Sequence, residues 1–540
     1  MSEMYRKAGE GSVERGYDRE DVKAGSALAR AVSLHLEGKG REALRELERA
    51  VETGESPKEI HAARGHIQFE LELYEEAAKS YELLLGLEPT SNSAYFNLAV
   101  CQEKLGRWAE AASNFQRVVG VDASRLDARL GLGICLLHLK HAEKALECFD
   151  ACLEQGGEQE TPLFGKAVAL ELLGRQEEAA ALYEQILTAN PQAEEPMSNL
   201  VHIGMRRNDV ASVQRWSEAL LGLRPFSQAA LEGLAWCAFT TENYDAASKY
   251  CAKLVEQTPE NFERWYNLGV ANQKMSRPEQ AEKAYLEASR LKPDHAQSWA
   301  NLGVVRQALG NERGAREAYE ASLKLNGEQP EVLFNLAGLI EESGRTEQAE
   351  DLYTRLLQSN GEWEDAWFRL GYLKLTRADA AGAVECFTHC LEKRQDWAEA
   401  HINIALAYKQ SGDQTKAIEH FEAGQSLQPE SIEALRGLAA IAIERQDFPK
   451  ALNLQGKLID LGERSPELFY NTGLLLQKQG QLDDAVSLYR EALGLRPNFP
   501  EALLNLGHAL KSQGRAEEAR TCWKQALEMK PELAQGYFGG

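Results

Sequence analysis

The feature that most constrains the fold of this chain is a 34-residue period, which runs through nearly all of its 540 residues. When the first block begins at Ala24, fifteen blocks extend to Leu533 without an insertion or a deletion. Position 8 of the block is Gly or Ala in fourteen blocks, position 20 is Ala in fourteen, and position 24 is aromatic in eleven. Residues can therefore be described by repeat (1–15) and by position (1–34) within the repeat.

Each block has the spacing of two amphipathic helices. Positions 4, 7, 8 and 11 fall on one face of a first helix, and positions 20, 24 and 27 fall on one face of a second. Small residues at positions 8 and 20 let the two backbones approach closely, and the aromatic residue at position 24 fills the space against the next block. One helix pair cannot bury its apolar face alone, so the blocks are expected to stack.

Glycine and proline mark the expected helix ends. Glycine near position 15, as at Gly106 and Gly412, tolerates the left-handed conformation that closes a helix. Proline at position 32, present in eight blocks, stops the second helix.

The pattern W-x2-L-G…A-x3-F…P at this period resembles the tetratricopeptide repeat (TPR). The resemblance covers residues 24–533 and implies an all-α, right-handed superhelical solenoid of about fifteen helix hairpins, whose first helices line a concave groove. The block at 262–295 carries the pattern nearly in full, with Trp265, Leu268, Gly269, Ala281, Tyr285, Ala288 and Pro293.

Both ends of the chain lie outside the fifteen blocks. Residues 1–23 are charged and predict a flexible arm, and residues 534–540 begin an incomplete sixteenth block. A solenoid needs a polar cap over its last apolar face. The open end therefore predicts a longer natural chain, a covering partner, self-association or a frayed terminus.

Position 6 of the first helix is the most informative column for function. The chain has 20 asparagines, which by chance would place fewer than one in this column, yet eight blocks carry Asn there. Asn is a mediocre helix former, so a helix gains nothing obvious from it locally. Counted around the helix, positions 2, 5, 6, 9 and 13 lie opposite the buried face and are expected to face the groove. The eight residues are Asn97, Asn199, Asn267, Asn301, Asn335, Asn403, Asn471 and Asn505.

A side-chain amide both donates and accepts hydrogen bonds, so it can pair with the main chain of an extended peptide. The column is similar to the asparagine ladder of the O-GlcNAc transferase TPR domain, a resemblance that implies peptide binding by these eight residues. The alternative is that Asn is inherited passively from an ancestral block or bonds a neighbouring helix. The remaining blocks have Ala29, Ala63, Gly131, Gly165, Gly233, Arg369 and Gly437 at this position.

Two neighbouring columns extend the candidate site. Position 5 carries aromatic residues, of which Tyr266, Phe334 and Phe368, together with Arg369 at position 6, are candidate peptide contacts. Ordinary packing between first helices explains these aromatic residues equally well. Position 2 is acidic in ten blocks, which would favour basic ligands, although acids are also common in a helix's first turn because they offset its dipole.

Charge and composition exclude several classes of protein. The net charge of −23 argues against nucleic-acid binding and against docking on an anionic membrane. No apolar run approaches the length of a membrane span, and the N-terminus has no apolar segment typical of a secretory signal. Nine cysteines without a dense framework favour a reducing, cytoplasmic location.

The sequence predicts neither catalysis nor a resident metal or cofactor. It contains no P-loop, H-E-x-x-H or G-x-S-x-G motif. The sharpest metal candidate is Cys386, His389 and Cys390 on one helical face, but both cysteines occupy repeat positions used for packing, so no metal is assigned.

The best interpretation is a non-catalytic protein-interaction scaffold that binds an extended peptide or a partner protein in the groove. Two alternatives stay open: the targeting half of an O-GlcNAc-transferase-like glycosyltransferase, and a filament-associated protein similar to kinesin light chains.

Overall fold

The computed structural model describes residues 26–156 and 159–534, and this part of the chain is helical without a strand. The predicted N-terminal arm and residues 535–540 lie outside the described residues. The chain divides into two compact units, unit 1 up to Ala284 and unit 2 from Tyr285 onward, with the boundary inside one helix. Each unit is a stack of helix pairs, which confirms the predicted all-α class.

Thirty α-helices are described, two for each of the fifteen repeats, so odd numbers are first helices and even numbers are second helices. The first helices are α1 Ala27–Leu36, α3 Pro57–Glu70, α5 Asn92–Lys104, α7 Leu126–His138, α9 Glu160–Leu172, α11 Glu194–Arg206, α13 Gln228–Thr240, α15 Phe262–Lys274, α17 Ala296–Ala308, α19 Pro330–Glu342, α21 Glu364–Thr376, α23 Ala398–Ser411, α25 Ile432–Glu444, α27 Pro466–Lys478 and α29 Pro500–Ser512. The second helices are α2 Gly40–Glu52, α4 Tyr74–Leu87, α6 Trp108–Val121, α8 Ala142–Glu154, α10 Gln176–Ala189, α12 Val210–Leu223, α14 Tyr244–Gln257, α16 Pro278–Leu291, α18 Glu312–Leu325, α20 Thr346–Ser359, α22 Ala380–Lys393, α24 Gln414–Leu427, α26 Phe448–Asp460, α28 Leu482–Leu495 and α30 Ala516–Met529, followed by a 3₁₀ turn at Pro531–Leu533.

The turn between the two helices of a repeat has the same backbone conformation in every repeat. Position 15 has a positive φ in all fifteen, as the glycine pattern predicts. Seven repeats have a residue other than glycine there, and Ala378, with φ +63°, is one of them. The requirement therefore comes from the helix pair, because it holds even where the side chain makes that conformation costly.

The side chain at position 24 packs between its own repeat and the next. The alanines at position 20, such as Ala111 and Ala417, are fully buried, so the second helix lies close against the first. Phe421 at position 24 is also fully buried, and its ring lies against the next repeat, where a Cβ on Gly437 would stand 2.2 Å from the ring. The predicted close approach and gap filling are both present.

Consecutive first helices also touch each other. Contacts of this kind join α1 with α3, α5 with α7, α11 with α13, α21 with α23 and α27 with α29, while consecutive second helices have no comparable contact among the described residues. The first helices therefore lie on the more crowded side of each stack. On each of them, positions 2, 6, 9 and 13 are three or four residues apart and share one face, which we call the stripe.

None of the helices in the described ranges combines the length and the apolar character that a bilayer span requires.

Candidate functional site

A tyrosine clasp holds several of the position-6 asparagines. Tyr183, at position 24 of repeat 5, is fully buried, and its hydroxyl donates to Glu171 Oε1 at 2.9 Å. The same hydroxyl accepts a hydrogen bond from Asn199 Nδ2 of the next repeat, also at 2.9 Å. The amide of Asn199 thus joins two repeats.

The clasp recurs in unit 2. Asn301 Nδ2 donates to the Tyr285 hydroxyl at 3.2 Å, and its oxygen accepts from Gln297 Nε2 at 2.9 Å. Burial raises the pKa of the Tyr319 hydroxyl, and the hydrogen bond with Asn335 acts in the opposite direction.

Asn505 has a related arrangement with a different partner. Its Nδ2 donates to the hydroxyl of Tyr470, at position 5 of the preceding repeat, at 3.0 Å. It also donates to the Glu501 carbonyl at 3.1 Å.

A regularity between adjacent repeats explains most of this column. Of the six repeats with Tyr at position 24, five are followed by a repeat with Asn at position 6 and one by a repeat with Arg369. Of the four with Phe, three are followed by Gly. At those glycines, Gly131, Gly165 and Gly437, an added Cβ would lie 2.2–2.6 Å from the preceding Phe ring. The residue at position 6 therefore correlates with the aromatic residue at position 24 of the preceding repeat.

Two of the predicted contacts at position 6 have structural roles. Asn97 follows Tyr81 and is 3% exposed, so its amide does not present itself to a ligand, and it is removed from the candidate surface. Arg369 Nη1 lies 3.4 Å from Glu341 Oε1, whose other oxygen accepts from the Tyr353 hydroxyl at 2.9 Å. Arg369 thus joins the same network as the asparagines, although its side chain is 55% exposed.

Three asparagines stand outside the regularity. Asn267, Asn403 and Asn471 follow Cys251, Phe387 and Gln455, none of which offers a tyrosine hydroxyl. Asn267 is exposed and the other two are partly exposed. Within residues 26–156 and 159–534, no hydrogen bond engages these three side-chain amides. These free amides are the residues that intramolecular packing does not explain.

The aromatic residues at position 5 pack rather than form open pockets. Phe334 stacks on Trp363 with ring centroids 5.5 Å apart, and Phe368 stacks on Trp397 at 4.6 Å. Each ring also meets the position-24 aromatic residue of its own repeat edge-on. Tyr266 is partly buried. Of the two interpretations of Phe334 and Phe368, packing is the one that these contacts support.

Acidic residues at position 2 give part of the stripe a negative charge. Glu467 and Glu501 are neutralised by Arg496 at 2.5 Å and Lys530 at 2.7 Å, and hydrogen bonds to Lys530 and to backbone help to lower the pKa of Glu501. Four other acids, in repeats 10–13, are exposed and have no ion-pair partner in the described part of the chain. They are Glu331, Asp365, Glu399 and Glu433.

Apolar side chains at position 9 complete the surface. Val304, Tyr372 and Leu406 are 37%, 47% and 36% exposed, and each lies one turn beyond position 6 on the same stripe. In repeat 12, Glu399, Asn403 and Leu406 follow one another along α23. One helix face thus offers a carboxylate, a free amide and an exposed apolar group.

Comparison with protein-family models identifies the fold. A model described as tetratricopeptide repeat matches residues 28–92, 143–194, 211–262 and 305–366. Two further models with that description match 262–295 with 398–431, and 476–536, so that together they cover more than half of the chain. The chain belongs to the tetratricopeptide repeat family. TPR proteins generally mediate protein–protein interactions.

Other similarities are more local or more distant. A model of the anaphase-promoting complex, cyclosome, subunit 3, matches residues 70–152 of this TPR chain. No curated protein matches the sequence significantly.

Solved TPR structures resemble the chain at low identity. YrrB, described as a TPR protein with an unusual peptide-binding site, is 20% identical over 35% of this chain and 98% of its own, with a TM-score of 0.34. The APC/C hetero-tetramer Cut9–Hcn1 is 15% identical over 84% and 96%, with a TM-score of 0.32. A TPR protein from Parabacteroides merdae is 21% identical over 46% and 98%, with a TM-score of 0.33.

The cysteines of the predicted metal candidate are packing residues in this TPR chain. Burial raises the pKa of the Cys386 and Cys390 thiols to about 12, so both stay protonated at neutral pH. The Cys390 thiol points at the Glu364 carbonyl, 3.6 Å away, and His389 Nδ1 lies 3.0 Å from Glu392. The Cys390 thiol and the His389 ring thus have separate local partners.

One partly buried carboxyl group was missed by the sequence analysis. Glu103 occupies position 12, where Glu171 and Glu341 accept a hydrogen bond from tyrosine, but the aromatic residue of its own repeat is Phe115. Burial raises the pKa of Glu103 to about 7. A comparison of positions 12 and 24 within a repeat would have exposed this mismatch.

Proposed function

We propose that the chain is a non-catalytic scaffold that binds an extended, basic segment of a partner protein on the stripe of unit 2. The observation that carries this proposal is the presence of free amides at Asn403 and Asn471, in a column whose other asparagines are mostly engaged by tyrosine. A neutral structural passenger would not need to keep an unpaired amide at a mid-helix site, where Ala is the better helix former.

The surroundings of these amides favour a particular kind of segment. An amide can pair with the N–H and C=O of a peptide whatever its side chains are. The four unpaired acids of repeats 10–13 favour Lys and Arg in the bound segment, since complementary charge steers and orients a partner. Tyr372 and Leu406 offer apolar contact beside these polar groups.

Selection from a random peptide library on the purified full-length chain tests the proposal. We expect the selected peptides to be enriched in Lys and Arg and to bind more weakly as salt concentration rises. Replacing both Asn403 and Asn471 by Ala should weaken binding about 5- to 160-fold, because each lost hydrogen bond has a net worth of about 0.5–1.5 kcal/mol.

A matched control separates the amides from general effects of the substitution. Asn453 is exposed on the second helix α26, so Asn453→Ala changes the same side chain away from the stripe. It should leave peptide affinity unchanged. Failure to select any peptide, or equal affinity of the wild type and the Asn403→Ala/Asn471→Ala variant, would remove the proposal.

A further inference from the structure

Three potential metal ligands meet where the first two repeats touch. His35 lies on α1, and His66 and Glu70 lie on α3, four residues apart and therefore on one face of that helix. They occupy positions 12, 9 and 13 of their repeats. The contact between α1 and α3 brings the three side chains together although His35 and His66 are 31 residues apart in sequence.

The ligand atoms lie close enough together to bind a single ion. His35 Nε2 lies 3.3 Å from one Glu70 oxygen, and His66 Nε2 lies 3.2 Å from the other. One ligand atom from each residue lies within 4.8 Å of the other two. Ligands held about 2.1 Å from Zn²⁺ are about 3.4 Å apart at tetrahedral angles. The two distances are longer than the 2.7–2.9 Å typical of charge-assisted hydrogen bonds.

The three side chains differ in their exposure to solvent. His66 is 7% exposed, the His35 side chain is 15% exposed, and the Glu70 side chain is 50% exposed. The two imidazoles are therefore held by the protein while the carboxylate faces solvent. An ion here would keep a coordination position for water or for a side chain from a partner.

We propose that His35, His66 and Glu70 form a Zn²⁺ site at the start of unit 1. Two imidazole nitrogens and one carboxylate oxygen are a donor set that suits Zn²⁺ and other late first-row divalent ions. Ca²⁺ and Mg²⁺ prefer sites made of oxygen ligands alone. Metal binding would fix the contact between repeats 1 and 2, because its ligands come from both.

The same three positions in repeats 5 and 6 provide an internal control. There they hold Glu171, His202 and Arg206, and Arg206 lies 2.5 Å from Glu171 in an ion pair. His202 is exposed, and its neighbours Glu171 and Arg206 stand where the proposed site has His35 and Glu70. His202→Ala therefore removes a position-9 histidine without touching the proposed site.

Co²⁺ titration of the chelator-treated full-length protein tests the site. We expect one equivalent of Co²⁺ to give visible d–d absorption without the thiolate charge-transfer band of a cysteine ligand, and Zn²⁺ to displace it. Glu70→Gln and His35→Ala should each weaken binding at least about tenfold, since even partners behind the direct ligands contribute 10- to 100-fold. His202→Ala should bind as the wild type does.

Glu70→Gln is the decisive variant because it keeps the size of a half-exposed side chain and is checked for helix content by circular dichroism. No cobalt spectrum in the wild type, or an affinity unchanged in both Glu70→Gln and His35→Ala, would overturn the proposal. If His35→Ala loses helix content, the Glu70→Gln result alone decides.

Discussion

Asn199→Ala and Asn403→Ala are the same substitution at the same repeat position, yet they should shift local stability in opposite directions. Both gain the higher helix propensity of Ala, which stabilises by at most about 0.7 kcal/mol. Only Asn199 loses a hydrogen bond, the 2.9 Å contact to the buried Tyr183 hydroxyl, with a net worth of about 1 kcal/mol. The two effects should therefore differ by about 1 kcal/mol.

Hydrogen exchange read by mass spectrometry is the suitable assay, because a long repeat array unfolds in parts rather than as one two-state unit. A difference of about 1 kcal/mol corresponds to about a fivefold difference in the exchange rate of the amides that open locally. Exchange should be slower in α23 after Asn403→Ala than in wild type. The ratio of the variant's exchange rate to that of the wild type should be about fivefold higher for α11 in Asn199→Ala than for α23 in Asn403→Ala.

A double-mutant cycle sharpens the comparison. In a Tyr183→Phe background the hydroxyl is gone, so Asn199→Ala should no longer cost stability and should behave as Asn403→Ala does. Equal effects of the two single substitutions, or an undiminished cost of Asn199→Ala without the hydroxyl, would refute the division of the asparagines into clasped and free.

Three further changes test the packing and the electrostatics, each read by hydrogen exchange of the repeat concerned. Gly437→Ala should destabilise by about 1–2 kcal/mol because its Cβ would clash with the Phe421 ring. Gly456→Ala, with open space around it, should stabilise by up to about 1 kcal/mol. If both substitutions stabilise the protein, the close packing of Phe421 against Gly437 is contradicted. Ala378→Gly should stabilise by about 1 kcal/mol by relieving its positive φ, and a loss of stability would contradict that strain. Burial raises the pKa of Glu103 in the folded state, so its neutral side chain contributes fully to folding stability below pH 4.5. That contribution is lost as pH rises towards 7. Glu103→Gln should therefore stabilise repeat 3 by about 1–3 kcal/mol at pH 8 and leave it unchanged at pH 4; a pH-independent effect would argue against a neutral buried carboxyl.

The repeat pattern predicted the helices closely because it repeats fifteen times. The glycine at position 15 and the alanine at position 20 are local signals whose consequences lie within one helix pair. Both expectations are confirmed, and the positive φ of Ala378 shows that the backbone follows the repeat even where glycine is missing.

The candidate site was harder to predict because its decisive contacts cross from one repeat to the next. Helical angle alone placed positions 5 and 6 on an open face, but Phe334 stacks on Trp363 and Asn199 bonds Tyr183. A comparison of position 6 with position 24 of the preceding repeat would have found the clasp. The grouping of His35 with His66 also depends on inter-repeat contact, and no linear motif contains both.

The proposed function requires the Asn403 amide to contact the main chain of a bound segment. A library-selected peptide in which single backbone amides are replaced by esters, so that one N–H donor is lost at a time, tests this claim. For the wild-type chain, one ester position should weaken binding about 2- to 10-fold, in keeping with the net worth of one hydrogen bond, and the same ester should cost nothing further in Asn403→Ala. If every ester costs the same in the wild type and in Asn403→Ala, the amide does not contact the peptide main chain and the claim is wrong.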